Sequence, residues 1–190
     1  TGSARRRGFE DHQAGRTLKF LLRWTSGRTA LARRVFFSFH FARDAWRVSQ
    51  VRNAWMLPGS RDSNTIVDHA SWEEIMRKGS QAIQNWIDTQ MNGSSVVAVL
   101  IGRDTHMRPW VEYEIRKAHR EGRGILGVHL AGIKDSSGAV DPAGPDPIAK
   151  LALTDRFGTR VTYPTYSWLQ GDGRNNFSSW VEAAARRAGR

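Results

Sequence analysis

Residues 95–101 (Ser95, then Val96, Val97, Ala98, Val99, Leu100 and Ile101) form an unbroken apolar run, mostly β-branched, between Gly93 and Gly102. A strand with one wet face would alternate apolar and polar residues, and the run is too short to span a bilayer. It suits a strand buried on both faces, the situation of a parallel sheet covered by helices on each side. Residues 35–39 and 125–130 read the same way, and 64–67 and 161–163 read as two shorter strands. Helical patterns lie between them: one opened by Asp44 and running to Trp55, one capped by Ser71 with Glu74 reaching back, and one restarted at Ser80 after Gly79. A further helix begins at Pro109, and a last one is capped by Ser179 with Glu182. Strands alternating with helices predict an α/β fold with a central, mainly parallel five-stranded sheet in a three-layer sandwich.

The segment after the central strand carries the chemistry. Asp104 or Thr105 can cap the helix that Pro109 opens, and Trp110, Val111, Ile115 and Ala118 form its apolar stripe. Glu114 lies within that stripe. Such a carboxylate is either a structural group paired with Arg108 or Lys117, or a catalytic acid whose pKa a cleft adjusts. Its place after a parallel-type strand favours the second, because open α/β sheets bind ligands at the carboxyl ends of their strands. The same end gathers Ser38, His40 and Asp44, Asp68 and His69, Arg103, Asp104 and Arg108, and His129.

Other uses of such a sheet do not fit. The first strand ends in Phe39-His40-Phe41, without the acidic pair of a phosphorylation receiver or the hydroxyl- and glycine-rich turn of a flavin site. No P-loop, G-x-G-x-x-G or H-E-x-x-H is present, and Ser38 lacks the G-x-S-x-G elbow. The six histidines are scattered singly and cysteine is absent, so no metal site is expected. The net charge of +11 raises nucleic-acid binding. Residues 1–34 hold nine Lys or Arg against two acids, +7, leaving twenty against sixteen, +4, for the remainder. Most of the excess thus lies on residues 1–34; residues 1–32 are expected to be a flexible or non-native basic extension, with the folded domain at 33–190. Specific nucleic-acid recognition is not expected, and neither is a membrane span or secretory signal; the chain reads as cytoplasmic.

Val35-Phe36-Phe37-Ser38-Phe39 resembles the first box of Toll/interleukin-1 receptor (TIR) domains, and Trp110 through Glu114 resembles their W-x-x-x-E motif. Together with Trp46-Arg47, Gln50-Val51-Arg52-Asn53, Ala82 to Ile87 and Thr105-x-x-Arg108-Pro109-Trp110-Val111-x-Tyr113-Glu114-Ile115, the pattern is similar to the TIR-like subunits of the bacterial Thoeris anti-phage system. Two departures stand out: Arg34 occupies a position that is acidic in many TIR domains, and 57–64 lacks a TIR loop signature. The resemblance implies a flavodoxin-like, TIR-like sandwich that cleaves NAD+ at the nicotinamide–ribose bond. Its ADP-ribose-derived, cyclic product would be a second messenger for a partner effector. NAD+ would be the substrate, with no separate cofactor; a phage protein as trigger and a second copy of the chain are further partners it allows. Glu114 would be catalytic. Substrate contacts are expected from Ser38, Phe39, His40, Asp44, Trp46, Arg47, Arg108 and Trp110, with the aromatics stacking and the arginines meeting pyrophosphate. Two alternatives stay open: a non-enzymatic TIR-like protein–protein interaction module in which Glu114 is structural, and a nonspecific basic nucleic-acid binder.

Overall fold

The computed structural model describes residues 33–55 and 69–190. In chain order they form β1 (Val35–Ser38), α1 (Phe41–Trp55), α2 (His69–Arg77), α3 (Ser80–Met91) and β2 (Val96–Ile101). After a 3-10 turn (Thr105–Met107) come α4 (Pro109–Arg120), β3 (Gly124–His129), α5 (Pro147–Lys150), β4 (Thr165–Ser167) and α6 (Gly173–Arg187). The four strands pair in parallel in the order β1-β2-β3-β4.

Every residue of β2 is buried, as its unbroken apolar run requires. The pleat sends Val96, Ala98 and Leu100 to one face, where Val48 and Val51 of α1 and Phe177, Val181, Ala184 and Ala185 of α6 meet them. Val97, Val99 and Ile101 go to the other face, against Ile83, Ile87 and Met91 of α3 and Val111, Ile115 and Ala118 of α4. A three-layer α/β sandwich results. Among the described residues the sheet has four strands rather than the five expected.

The expected strand at 64–67 lies outside the described residues, as does the expected basic extension at 1–32. The last strand is displaced from the expected 161–163 to Thr165–Ser167. Pro164 sets that boundary: it has no N–H to give, but its carbonyl accepts from Gly127 N at 2.9 Å, and pairing proceeds from the next residue. Likewise α6 starts at Gly173, not at Ser179. Asp172 receives Asn175 N and Asn176 N on its carbonyl, and burial of Phe177 beneath Trp55 and Trp168 holds the added turns. Ser179 instead bonds back to Asn176 O within the helix, and Glu182 pairs with Arg33 at 2.9 Å. Helix α1 begins at Phe41, three residues before Asp44, because His40 O accepts from Asp44 N.

Candidate active site

Ser38 ends β1, and the alternation along that strand turns it, like Phe36, toward the α3/α4 layer. Glu114 comes from the opposite direction. It shares the inward stripe of α4 with Val111, Ile115 and Ala118, and Pro109 opens that helix at its first position as expected. The two side chains meet: Ser38 Oγ donates to Glu114 Oε2 at 2.5 Å. Ser38 is 1 % exposed and Glu114 7 %.

Burial pushes the Glu114 carboxyl up to about 8, with the Ser38 hydrogen bond opposing the rise. The structural pairing considered from the sequence is not formed. Lys117 goes to Glu121 at 2.6 Å and Asp88 at 3.3 Å, and Arg108 Nε donates to Asp104 O. Among the described residues Glu114 therefore has a hydroxyl partner and no counter-charge. A buried carboxyl in that condition is neutral at pH 7 and ionises when a cation arrives.

His40, two residues beyond Ser38, is half-buried, with Nδ1 shielded and without a hydrogen-bond partner among the described residues. Burial lowers its pKa, Arg108 and Arg43 act in the same direction, and Asp104 opposes them, so the ring is neutral. Arg43 links Asp141, at 2.8 and 3.0 Å, to Asp104, at 3.4 Å. Across the sheet from Glu114 a second carboxylate, Asp44, is fully buried. Its Oδ1 accepts from Arg47 Nη1 at 3.2 Å, while Oδ2 has no hydrogen-bond donor among the described residues and lies over Gly102. A methyl group at Gly102 would overlap that carboxylate, so only glycine fits there.

The protein-family model described as "Thoeris protein ThsB, TIR-like domain" matches residues 36–135, more than half of the chain. A relative from Bacillus cereus (strain MSX-D12), named "Putative cyclic ADP-D-ribose synthase ThsB1", is 31% identical over 192 residues, covering 80% of this chain and 100% of the relative. The chain belongs to the ThsB TIR-like family. Both Ser38 and Glu114 fall inside the matched region.

In this ThsB-family chain the expected site residues divide into groups. Ser38 and Glu114 touch, and His40 and Arg108 lie close enough for the guanidinium to depress the ring. Phe39 is half-buried, its ring 5.9 Å from Phe41, and packs on the α1/α6 side. Trp110 is half-buried edge-to-face with Tyr113. Trp46 faces outward from α1, 56 % exposed, so it is not a core residue. Arg47 is neither solvated nor free. It is 2 % exposed, and its guanidinium donates to Ile133 O, Ala139 O, Asp135 and Asp44, with Asp141 at 3.2 Å.

Those contacts tie down the stretch 131–148, whose Gly, Pro, Asp and Ser content alone suggests only an exposed surface loop. Residues 133–144 form a strap fastened to α1. Asp135 Oδ1 folds its first turn by accepting from Ser137 and Ala139, and Gly144 presses on the carbonyls of Gly102 and Arg103. Asp135, Asp141, Gly102 and Gly144 were the residues missed. The Asp135-Ser-Ser-Gly138 sequence is an Asx-turn signal, but nothing local points from it to Arg47. Among the described residues no helix is long and apolar enough to cross a membrane, and no group of three or more His, Asp or Glu could hold a metal ion.

Proposed function

We propose that this protein cleaves the nicotinamide–ribose bond of NAD+ and converts the ADP-ribosyl group into a cyclic signal that activates a partner effector in anti-phage defence. One observation carries this reading: Glu114 is a buried carboxyl that, among the described residues, has no counter-ion and is held by a single hydroxyl beneath the carboxyl ends of a parallel sheet. Membership in the ThsB TIR-like family and the name of the Bacillus cereus relative support the substrate class.

The chemistry follows from charge. Nicotinamide in NAD+ is a cation, and a cation beside Glu114 favours loss of the carboxyl proton. The carboxylate then accepts hydrogen bonds from the ribose hydroxyls in place of the one from Ser38. As the C1′–N bond breaks, its electron pair goes to nicotinamide, which leaves neutral and needs no proton. The ribosyl group becomes oxocarbenium-like, and the fixed negative charge stabilises it, as carboxylates do in glycoside cleavage. A nucleophile from the adenosine half of the same molecule closes the ring, and Glu114 can take up the proton it loses. Arg108 and Arg103, whose side chain is 57 % exposed, would meet the pyrophosphate, whereas Arg47 is committed elsewhere. Neutral His40 adds a donor or acceptor without adding charge.

The test is chromatography of NAD+ incubated with the protein and lysate from phage-infected cells. Nicotinamide and a cyclic ADP-ribose-type product are expected from the wild type. Glu114→Gln should lower the rate by at least about 10³-fold with the fold intact. Nicotinamide release that persists in Glu114→Gln would overturn the assignment, and none from either protein would favour the protein–protein interaction module.

A further inference from the structure

Arg47 sets a problem that the proposed reaction does not solve. A guanidinium removed from water costs several kcal/mol unless it is paired and fully hydrogen-bonded, and an apolar side chain of similar volume is often as stable or more so. This chain nonetheless buries Arg47 and surrounds it with Asp44, Asp135, Asp141 and the carbonyls of Ile133 and Ala139. Ion networks of this kind specify geometry better than they add stability.

The geometry in question is that of the site. Three segments converge on Arg47 and its partners. The first is α1, joined to Ser38 through Phe39 and His40. The second is the 133–144 strap, whose Gly144 lies on the carbonyls of Gly102 and Arg103. The third is the turn from Gly102 to Arg108, over which the Asp44 carboxylate rests and to which Arg43 is tied through Asp104. That turn is closed by Met107 N on Asp104 O, Arg108 N on Thr105 O and Gly102 N on Thr105 Oγ1. It delivers the first turn of α4 and hence Glu114. Among the described residues no ion pair links α4 to α1; besides the sheet that lies between them, the strap and the turn carry the connection.

We propose that Arg47 is a positioning residue of the active site: it clamps the strap over the β2–α4 turn and so fixes Glu114 against Ser38. Calling the site active rests on the function proposed above; the clamp itself does not. Arg47 touches neither Glu114 nor Ser38 and acts through the backbone it holds. Its planar fork is what lets one side chain serve carbonyls and carboxylates together, which a lysine cannot reproduce.

The decisive measurement is the titration of Glu114, followed by carbon-13 NMR of glutamate-labelled protein and assigned by the resonance lost in Glu114→Gln. In the parent the midpoint should lie near the value of about 8 that burial produces. The variant Arg47→Met with Asp44→Asn removes both buried charges, so net charge is unchanged and long-range effects on Glu114 largely cancel. If the clamp positions α4, water reaches the carboxyl and the midpoint falls by about one unit or more, a tenfold change in proton affinity. Arg47→Lys, which keeps the charge and so keeps the fold, should shift it less in the same direction. With NAD+ as substrate, kcat should fall by about tenfold or more with KM within about twofold, because misplacement affects reaction more than binding. Midpoints equal to the parent's in both variants, with only a lower melting temperature, would reduce Arg47 to a stabilising residue and overturn the proposal. A parent that releases no nicotinamide would remove the functional reading, and the titration would still decide the clamp.

Discussion

Glu114 and Asp44 are buried carboxyls on opposite faces of one sheet, and they are treated in opposite ways. Asp44 has a guanidinium at 3.2 Å, and that guanidinium is itself fastened to a strap. Glu114 has a serine hydroxyl at 2.5 Å and no cation among the described residues. Both carboxyls are pushed up by burial, but Arg47 offsets the effect at Asp44 through its charge and its hydrogen bond, and at Glu114 only Ser38 opposes it. One is a charge compensated for the sake of structure. The other is left uncompensated among the described residues, and that difference separates a fixing element from a reactive one.

Stability against pH gives the largest test of the contrast. Glu114 titrates near 4.5 in the unfolded chain and at about 8 when folded. Between those values the native state holds the proton and the unfolded state has lost it, so folding stability falls as pH rises across the window. The ceiling, from about 1.4 kcal/mol per unit, is on the order of 5 kcal/mol. Glu114→Gln should remove most of this decline: the variant should match the parent near pH 4 and exceed it by a few kcal/mol at pH 9. Urea unfolding at each pH measures this. Asp44 remains in the variant with its own raised pKa, which Arg47 offsets only in part, so both proteins keep the residual decline that Asp44 contributes. Parallel stability curves for the two proteins would mean that Glu114 is not uncompensated after all.

How far this contrast could be read in advance follows from where the signals lie. The run at 95–101 announces a strand buried on both sides, and the stripe of Val111, Ile115 and Ala118 puts Glu114 inside the fold; both are periodicities within a few residues. The partner of Glu114 is a different matter, because 76 residues separate it from Ser38 and only the sheet register brings them together. Arg47 was misjudged for the same reason. Its surroundings in α1 are polar, and its partners Ile133, Asp135, Ala139 and Asp141 lie more than 80 positions away in a stretch rich in glycine and proline. The Ser179-x-x-Glu182 pattern misled in the opposite direction: a capping signature is local and carries no information about Phe177, which seats the preceding turns in the core.

A smaller effect is expected at Ser38. Among the described residues its hydroxyl is the one group that opposes the rise at Glu114, so Ser38→Ala should move the Glu114 midpoint upward by about one unit, the scale of a hydrogen bond to a charged group. If ionised Glu114 is the form of the free protein that takes NAD+, kcat/KM rises with pH up to the parent's midpoint and levels off above it. Ser38→Ala should displace that profile toward alkaline pH and change little on its plateau. A profile left in place would show that the hydroxyl and the carboxyl are neighbours without being coupled.

The smallest effect is expected at Trp46, and it bears on which side of α1 faces the substrate. Residues two apart on a helix point about 200° apart, so with Asp44 turned into the protein Trp46 is turned away from it, and its 56 % exposure agrees. A surface substitution of this kind changes stability by no more than about 0.5 kcal/mol, so Trp46→Ala should unfold as the parent does. Stacking of an aromatic side chain on a base is worth about 1–3 kcal/mol, which would raise KM by about five- to 150-fold if the indole met adenine. With the indole on the outer side of α1, KM for NAD+ should instead stay within about twofold of the parent. A larger rise, measured by steady-state nicotinamide release, would bring α1 into the substrate site and place the adenine on the Asp44 side of the sheet, against the side assigned to Glu114.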